Sequence, residues 1–172
     1  MKKRILLFVV TFLTILGIAS VHTTTVSAAS WGAKKIFTTP KATRGVWYVK
    51  NGGLMSKFKI TAHTDNGAKL YQPLSNKEQT KWLKKLIAID EKTNYKVGDK
   101  IEKTMCQAKI VKFHGSTGFS DGSWLTGTVG QEYYIPVKRT VKGKRVNALH
   151  LIEGDFFDGY AYHSKKLAKQ SL

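Results

Sequence analysis

Hydrophobic and polar residues alternate between Lys57 and Thr64. Phe58, Ile60 and Ala62 fall on one side, and Lys57, Lys59, Thr61 and His63 on the other. A period of two predicts a half-buried strand with a wet, basic outer face. Just upstream, Arg44-Gly45-Val46-Trp47-Tyr48-Val49-Lys50 is rich in β-formers and stops at Asn51-Gly52-Gly53, a strong turn signal. The two runs predict a hairpin. The period then changes. Ser75-Asn76-Lys77-Glu78 has the form of a capping box and opens a helix predicted over about 76–91. At about 100° per residue, Trp82, Leu83, Leu86, Ile87 and Ile89 share an arc of about 160°. Lys77, Lys81, Lys84, Lys85 and Lys92 fall in a separate arc of about 100°.

Beyond the helix, Lys96-Val97-Gly98-Asp99 reads as a turn and Ile101 to His114 as a long β-prone stretch. Gly115 to Gly122 reads as a flexible Gly/Ser loop, with Phe119 at its tip placed to touch a ligand. Short strands are predicted at Ser123–Val129 and at Glu132–Thr140, the latter at an edge or bulge because of Pro136. Lys142-Gly143-Lys144 predicts a hairpin tip, followed by strands at Arg145–Ile152 and Phe156–His163. The fold expected is mainly β: a small antiparallel barrel or strongly curved sheet of about seven strands, with one amphipathic helix. A single domain over 44–163 follows an irregular basic lead-in at 29–43 and precedes a basic C-terminal tail at 164–172.

The first residues have a different character. Lys2, Lys3 and Arg4 precede an apolar run from Ile5 to Val21, and Val26-Ser27-Ala28 supplies the small side chains that signal peptidase requires. Residues 1–28 are therefore expected to be a signal peptide, cut after Ala28 or Ala29, with no transmembrane segment left after cleavage. The protein is expected to be secreted, either extracellular or held non-covalently at the cell wall. Of its 172 residues, 29 are Lys or Arg and 11 are Asp or Glu, a formal charge of +18. Cleavage removes only Lys2, Lys3 and Arg4 from that balance and leaves +15. A hydrophobic content of 42% excludes a disordered polycation, and a single cysteine excludes an internal disulfide framework.

Gly45-Val46-Trp47-Tyr48 resembles the Gly-x-Trp-Tyr start of the first strand in lipocalin-like barrels. That resemblance implies a Trp plugging the closed end of a barrel, with Trp47 and Tyr48 among the residues that line or plug a small-ligand cavity. The signal peptide, the Thr39 to Tyr48 opening and the Tyr160-Ala161-Tyr162-His163 ending resemble short exported proteins of Gram-positive lactic-acid bacteria. This second resemblance implies a location rather than a mechanism.

Candidate chemistry is sparse. Cys106 lies between Met105 and Ala108 without a recognisable catalytic context, which predicts a small buried hydrophobe. A wall-modifying enzyme would have to pair Cys106 with His63, His114, His150 or His163. Those histidines lack metal-site spacing, so neither a metal nor another cofactor is expected. Glu153, Asp155 and Asp158 cluster near Gly154 and Gly159 and read as a turn, with a calcium or paired-carboxylate site as the alternative.

The lysine excess is the strongest signal. Lys57, Lys59, Lys77, Lys81, Lys84, Lys85, Lys165, Lys166 and Lys169 are the expected contacts to anionic wall polymers or anionic lipid head groups. Export argues against nucleic acid as the natural partner. The expected function is a non-enzymatic module retained at the cell envelope, with a small-ligand-binding barrel as the alternative.

Overall fold

The computed structural model describes residues 30–93, 95–126, 132–155 and 157–170. The expected signal peptide lies outside the described residues; of the strand expected at Ser123–Val129, Ser123 ends another strand and residues 124–126 form a turn instead, while 127–129 lie outside the described residues. No described helix is long and apolar enough to cross a membrane.

The described residues form nine strands: β1 (Gly45–Asn51), β2 (Leu54–Ile60), β3 (Thr64–Asp65), β4 (Ala68–Tyr71), β5 (Met105–Phe113), β6 (Ser116–Ser123), β7 (Glu132–Val141), β8 (Lys144–Glu153) and β9 (Phe157–Tyr162). Each pairs with the next in sequence, and β9 returns to β1, so the sheet closes into a ring. The ring is irregular. β3 is two residues long, and the closing seam pairs only Tyr48 with Tyr162 and Val49 with Ala161. The expectation of about seven strands falls short because β3 and β4 are too short to show an alternating pattern, and β6 was read as a loop.

The helices also outnumber the one expected. They are α1 (Asn76–Thr93), α2 (Lys96–Thr104) and α3 (Lys165–Gln170). The capping box is present: the Ser75 hydroxyl donates to Glu78 Oε2 at 2.8 Å and accepts from the Glu78 amide at 3.3 Å. Residues 96–99 are the first turn of α2 rather than a free turn. The Gly98 amide donates to Asp90 Oδ1 at 3.0 Å, so the preceding helix satisfies a donor that α2 leaves open. A Cβ at Gly98 would meet Asp90 Oδ2, so a side chain there would displace the carboxylate that caps this turn.

All pairings are antiparallel except β4 with β5, which run parallel with Leu70 opposite Cys106. A parallel pair needs a crossover, and α1 and α2 supply it. Alternation assigns the two faces of the ring. Trp47, Val49, Ile60, Leu70, Ala108, Phe119, Tyr134, Leu149 and Ala161 form the interior core with Phe37. Tyr71 and Met105, one residue out of phase, pack outside with Leu86, Ile101, Trp124 and Ala33, beneath α1 and α2. A third cluster of Val141, Ala148, Tyr162 and Ala168 seats α3 against the outer face near the seam. Leu83 and Ile87, expected on the buried face of α1, stay exposed.

Trp47 fills one end of the interior. It is 1% exposed, its Nε1 donates to the Thr43 carbonyl at 2.8 Å, and its ring stacks on His163 at 3.6 Å between centroids. Gly45 permits this approach. Its φ of +131° disfavours a side chain, and a Cβ would lie 2.8 Å from His163 Cε1.

β6 departs most from expectation. Ser116–Ser123 is a strand paired with β5 along its whole length, and Phe119 is fully buried rather than at a loop tip. Gly118 lets β6 pass close to β7, because a Cβ there would collide with the Tyr134 carbonyl and meet Ile135 Cδ1 at 2.9 Å. Pro136 sits in β7 opposite Leu149 of β8, beyond the Glu132–Tyr134 stretch that pairs with β6, so its missing N–H breaks no β6–β7 bond. Gly118→Ala is expected to lower unfolding stability by about 1–3 kcal/mol in urea titration, because backbone and not a flexible side chain occupies the space. An unchanged midpoint would show that β6 and β7 are not held this tightly.

Candidate functional site

The interior is not filled throughout its length. Beyond Val49, on the side away from the Trp47 plug, lies a cavity of about 350 Å³. Its apolar wall is Val49, Phe58, Leu151, Ile152 and Phe157, and its polar wall includes Ser56, Asn66, Asp65, Glu132 and Glu153. These residues come from β1, β2, β3, β7, β8 and β9 or, for Asn66, from the turn after β3. Only closure of the ring brings them together.

At its base, aromatic rings make a continuous stack. Tyr134 lies almost parallel to Phe119 at 4.7 Å, Phe58 lies 6.1 Å from Tyr134, and Phe37 lies 5.8 Å from Phe119. Such offset and tilted contacts each add about 0.5–1.5 kcal/mol to simple burial. They fix the orientation of the Tyr134 ring and hence the position of its hydroxyl.

That hydroxyl sits among carboxylates. It donates to Asp65 Oδ2 at 2.7 Å and is also hydrogen-bonded to Glu132 Oε2. Asp65, Asp121 and Glu132 each offer an oxygen within 4.8 Å of the others. A phenol has one proton to give. Both contacts are satisfied together only when one carboxyl is protonated and donates back to Tyr134. Desolvation favours that state: burial, reinforced by the charge of Glu132, lifts Asp65 to about 6 against the opposing Tyr134 hydrogen bond. Burial and the charges of Asp65 and Glu132 also raise Asp121 well above the ordinary carboxylate range. Asp65 Oδ1 is buried without a hydrogen-bond partner. The ion pairs among the described residues, Lys34–Glu78 and His150–Asp158, do not involve this cluster.

Cys106 lies next to these acids in the interior. Burial first, and then the charges of Asp121, Asp65, Glu102 and Glu132, push its thiol up to about 12. A nucleophile needs the thiolate, and this environment suppresses it. The histidines engage other groups. His63 Nδ1 meets the Phe37 carbonyl at 3.0 Å, His150 Nε2 meets Asp158 at 2.5 Å, His163 Nδ1 meets the Val46 carbonyl at 2.9 Å, and His114 packs edge-on to Phe113. No Cys–His hydrogen bond occurs among the described residues.

The residues singled out from sequence are dispersed. Trp47 is sealed in the interior and Tyr48 packs on the outer cluster beside Tyr162, so neither lines the cavity. Lys57 and Lys59 are exposed on the outer face of β2, and Lys165, Lys166 and Lys169 are exposed on α3, which packs on β1 and β9. Lys77, Lys81, Lys84 and Lys85 are exposed on α1, which packs on α2 and the turn at Ser30–Gly32. The lysines thus lie on three separate elements, β2, α1 and α3. Of the three acids near the last hairpin, Glu153 reaches the cavity, Asp158 pairs with His150 and Asp155 stays in the exposed turn.

Asp65, Asp121, Glu132, Tyr134 and Phe58 were not recognised as a site. The only trace in the sequence is that Glu132 and Tyr134 share a face of a predicted strand. In comparisons with family models, curated proteins and solved structures, none matches this chain.

Because the folded pKa of Asp65 is raised, the native state holds its proton more tightly than the unfolded chain does. Its contribution to stability is intact below about pH 4 and is lost as pH rises through about 6. Allowing for partial exposure, the stability of Asp65→Asn relative to wild type should rise by about 2 kcal/mol between roughly pH 4 and pH 7. Urea unfolding of both proteins across that range checks it, and parallel curves would refute it.

Proposed function

We propose that the protein is an exported, non-enzymatic β-ring that binds a small ligand in its cavity while its lysines hold it against anionic polymers or lipid head groups of the cell envelope. The cavity carries this reading. Its volume of about 350 Å³ falls within the range of small-molecule sites, and its lining combines apolar walls with a few convergent polar groups. The resemblance to lipocalin-like barrels supports it in one respect: Trp47 fills the interior on the side away from the cavity. The suppressed Cys106 thiol argues against the alternative of a Cys/His enzyme.

Location rests on the signal-peptide pattern of residues 1–28, and retention rests on charge. All nine lysines named from sequence project from the surface. Exposed cations attract polyanions over roughly one Debye length, about 8–10 Å at physiological salt. Retention should therefore be electrostatic and reversible.

Two measurements test the two halves. The neutral fluorophore N-phenyl-1-naphthylamine should bind the purified protein saturably, and Ser56→Trp, which fills the cavity, should abolish the signal while leaving thermal unfolding unchanged. Absence of saturable uptake by the wild type would remove the ligand-binding half. Washing intact cells should release the protein between about 0.1 and 1 M NaCl. Reversing Lys81, Lys84 and Lys85 to Glu should lower the salt needed, and a protein that stays bound in molar salt or never binds would refute electrostatic retention.

A further inference from the structure

We propose that the cavity selects a small organic cation, a protonated amine or guanidinium on an apolar body, with its charge at Asp65 and Glu132 and its body against Phe58, Tyr134, Leu151 and Phe157. The inference rests on the ligand-binding reading above and adds the chemistry of the ligand.

The distribution of charge argues for it first. Basic residues outnumber acidic ones 29 to 11, yet among the described residues no Lys, Arg or His lines the cavity, whereas Asp65, Glu132 and Glu153 do. Asp121 stands within 4.8 Å of the first two and adds to the same field from behind. A neutral or anionic ligand would leave this excess negative charge unanswered.

The second argument is the hydrogen-bonding chemistry of the cavity wall. Asp65, Glu132 and Glu153 line the cavity, and carboxylates are acceptors. An ammonium or guanidinium N–H donates to them in charge-assisted bonds, the stronger kind. Tyr134 holds Asp65 Oδ2 and Glu132 Oε2 and so fixes both acids in the wall.

The third argument is the lining opposite the charge. Phe58, Tyr134 and Phe157 present aromatic surface beside the carboxylates. Aromatic faces attract cations and also accept an apolar body. A bare divalent ion would use the acids but leave the greater part of a 350 Å³ space, and its apolar wall, unexplained.

Isothermal titration of the purified protein with 2-phenylethylamine, 2-phenylethanol and phenylacetate at pH 7 tests the inference, with calcium chloride titrated separately. The protonated amine is expected to bind at least about tenfold more tightly than the alcohol, and phenylacetate more weakly still. Glu132→Gln and, independently, Glu153→Gln should each reduce that preference while N-phenyl-1-naphthylamine still binds. Asp65→Asn should abolish the preference where it folds. Equal binding of amine and alcohol, or tighter binding of phenylacetate, would overturn the cation inference and leave the ligand-binding reading standing. Binding of calcium with all three organic probes silent would mark an ion site and overturn it. Silence of every probe, including the neutral fluorophore, would remove both readings.

Discussion

Closure of the sheet is the constraint from which the rest follows. An open sheet of this composition would present an apolar face and two unpaired edges. Pairing β9 back to β1 removes both edges and creates an inside that water does not freely enter. The seam is brief, two residue pairs, so it cannot hold on strand pairing alone. Trp47 and the aromatic stack of Phe37, Phe119, Tyr134 and Phe58 support it from within, and α3 supports it from without through Ala168 against Tyr162 and Ala148. Burial of a large apolar side chain contributes about 1.5–3 kcal/mol, so the side chains around the seam outweigh its few hydrogen bonds.

The same closure sorts charge. Lysines occupy the solvent-facing positions of β2, α1 and α3, where water hydrates them at little cost. Asp65 and Asp121 lie inside, where their charged forms are penalised, and Glu132 joins them from the exposed rim. An interior acid without a cationic partner weakens a fold. Retaining two of them beside Glu132 and one phenol, in a chain with lysine to spare for neutralising them, is more readily explained by use than by stability. The field of the distant surface lysines does not cancel that of the acids, because solvent and salt screen the former and the cavity screens the latter much less.

Much of the architecture was legible where one physical rule governed each residue. The Ser75–Glu78 capping box, the Lys142–Gly143 tip and the β-rich runs of β7 to β9 formed as read, whereas the strand read over Lys57–Thr64 ends at Ile60, where Thr61 turns the chain by bonding Thr64. β6 was not legible, because Gly118 and Ser120 follow tertiary demands: close passage beside Tyr134 and a fully paired inner position between β5 and β7. Nor was α2, whose first turn is held by Asp90 from another helix. Residues 165–170 read as a basic tail because Leu167 and Ala168 are too few to display a period, yet they suffice to anchor a helix. The histidines offered a local pattern to examine, whereas the acids that converge offered none. Asp65, Asp121 and Glu132 belong to three strands, and only the ring makes them neighbours.

The two halves of the functional reading therefore depend on the fold to different degrees. Lysine-mediated retention needs only that the side chains be exposed, so it tolerates shifts in register and loop length. The cavity does not. A one-residue slip in β7 would turn Glu132 and Tyr134 outward, removing the acid and breaking the Tyr134 contacts to Asp65 and Phe119. Tyr134 makes that slip costly, since its ring is stacked on Phe119 and its hydroxyl is held between two carboxyl groups. The interactions that lock the register are thus the ones that build the site. Any change loosening the Phe119–Tyr134 stack should disturb the cavity before it disturbs the lysine-bearing surface.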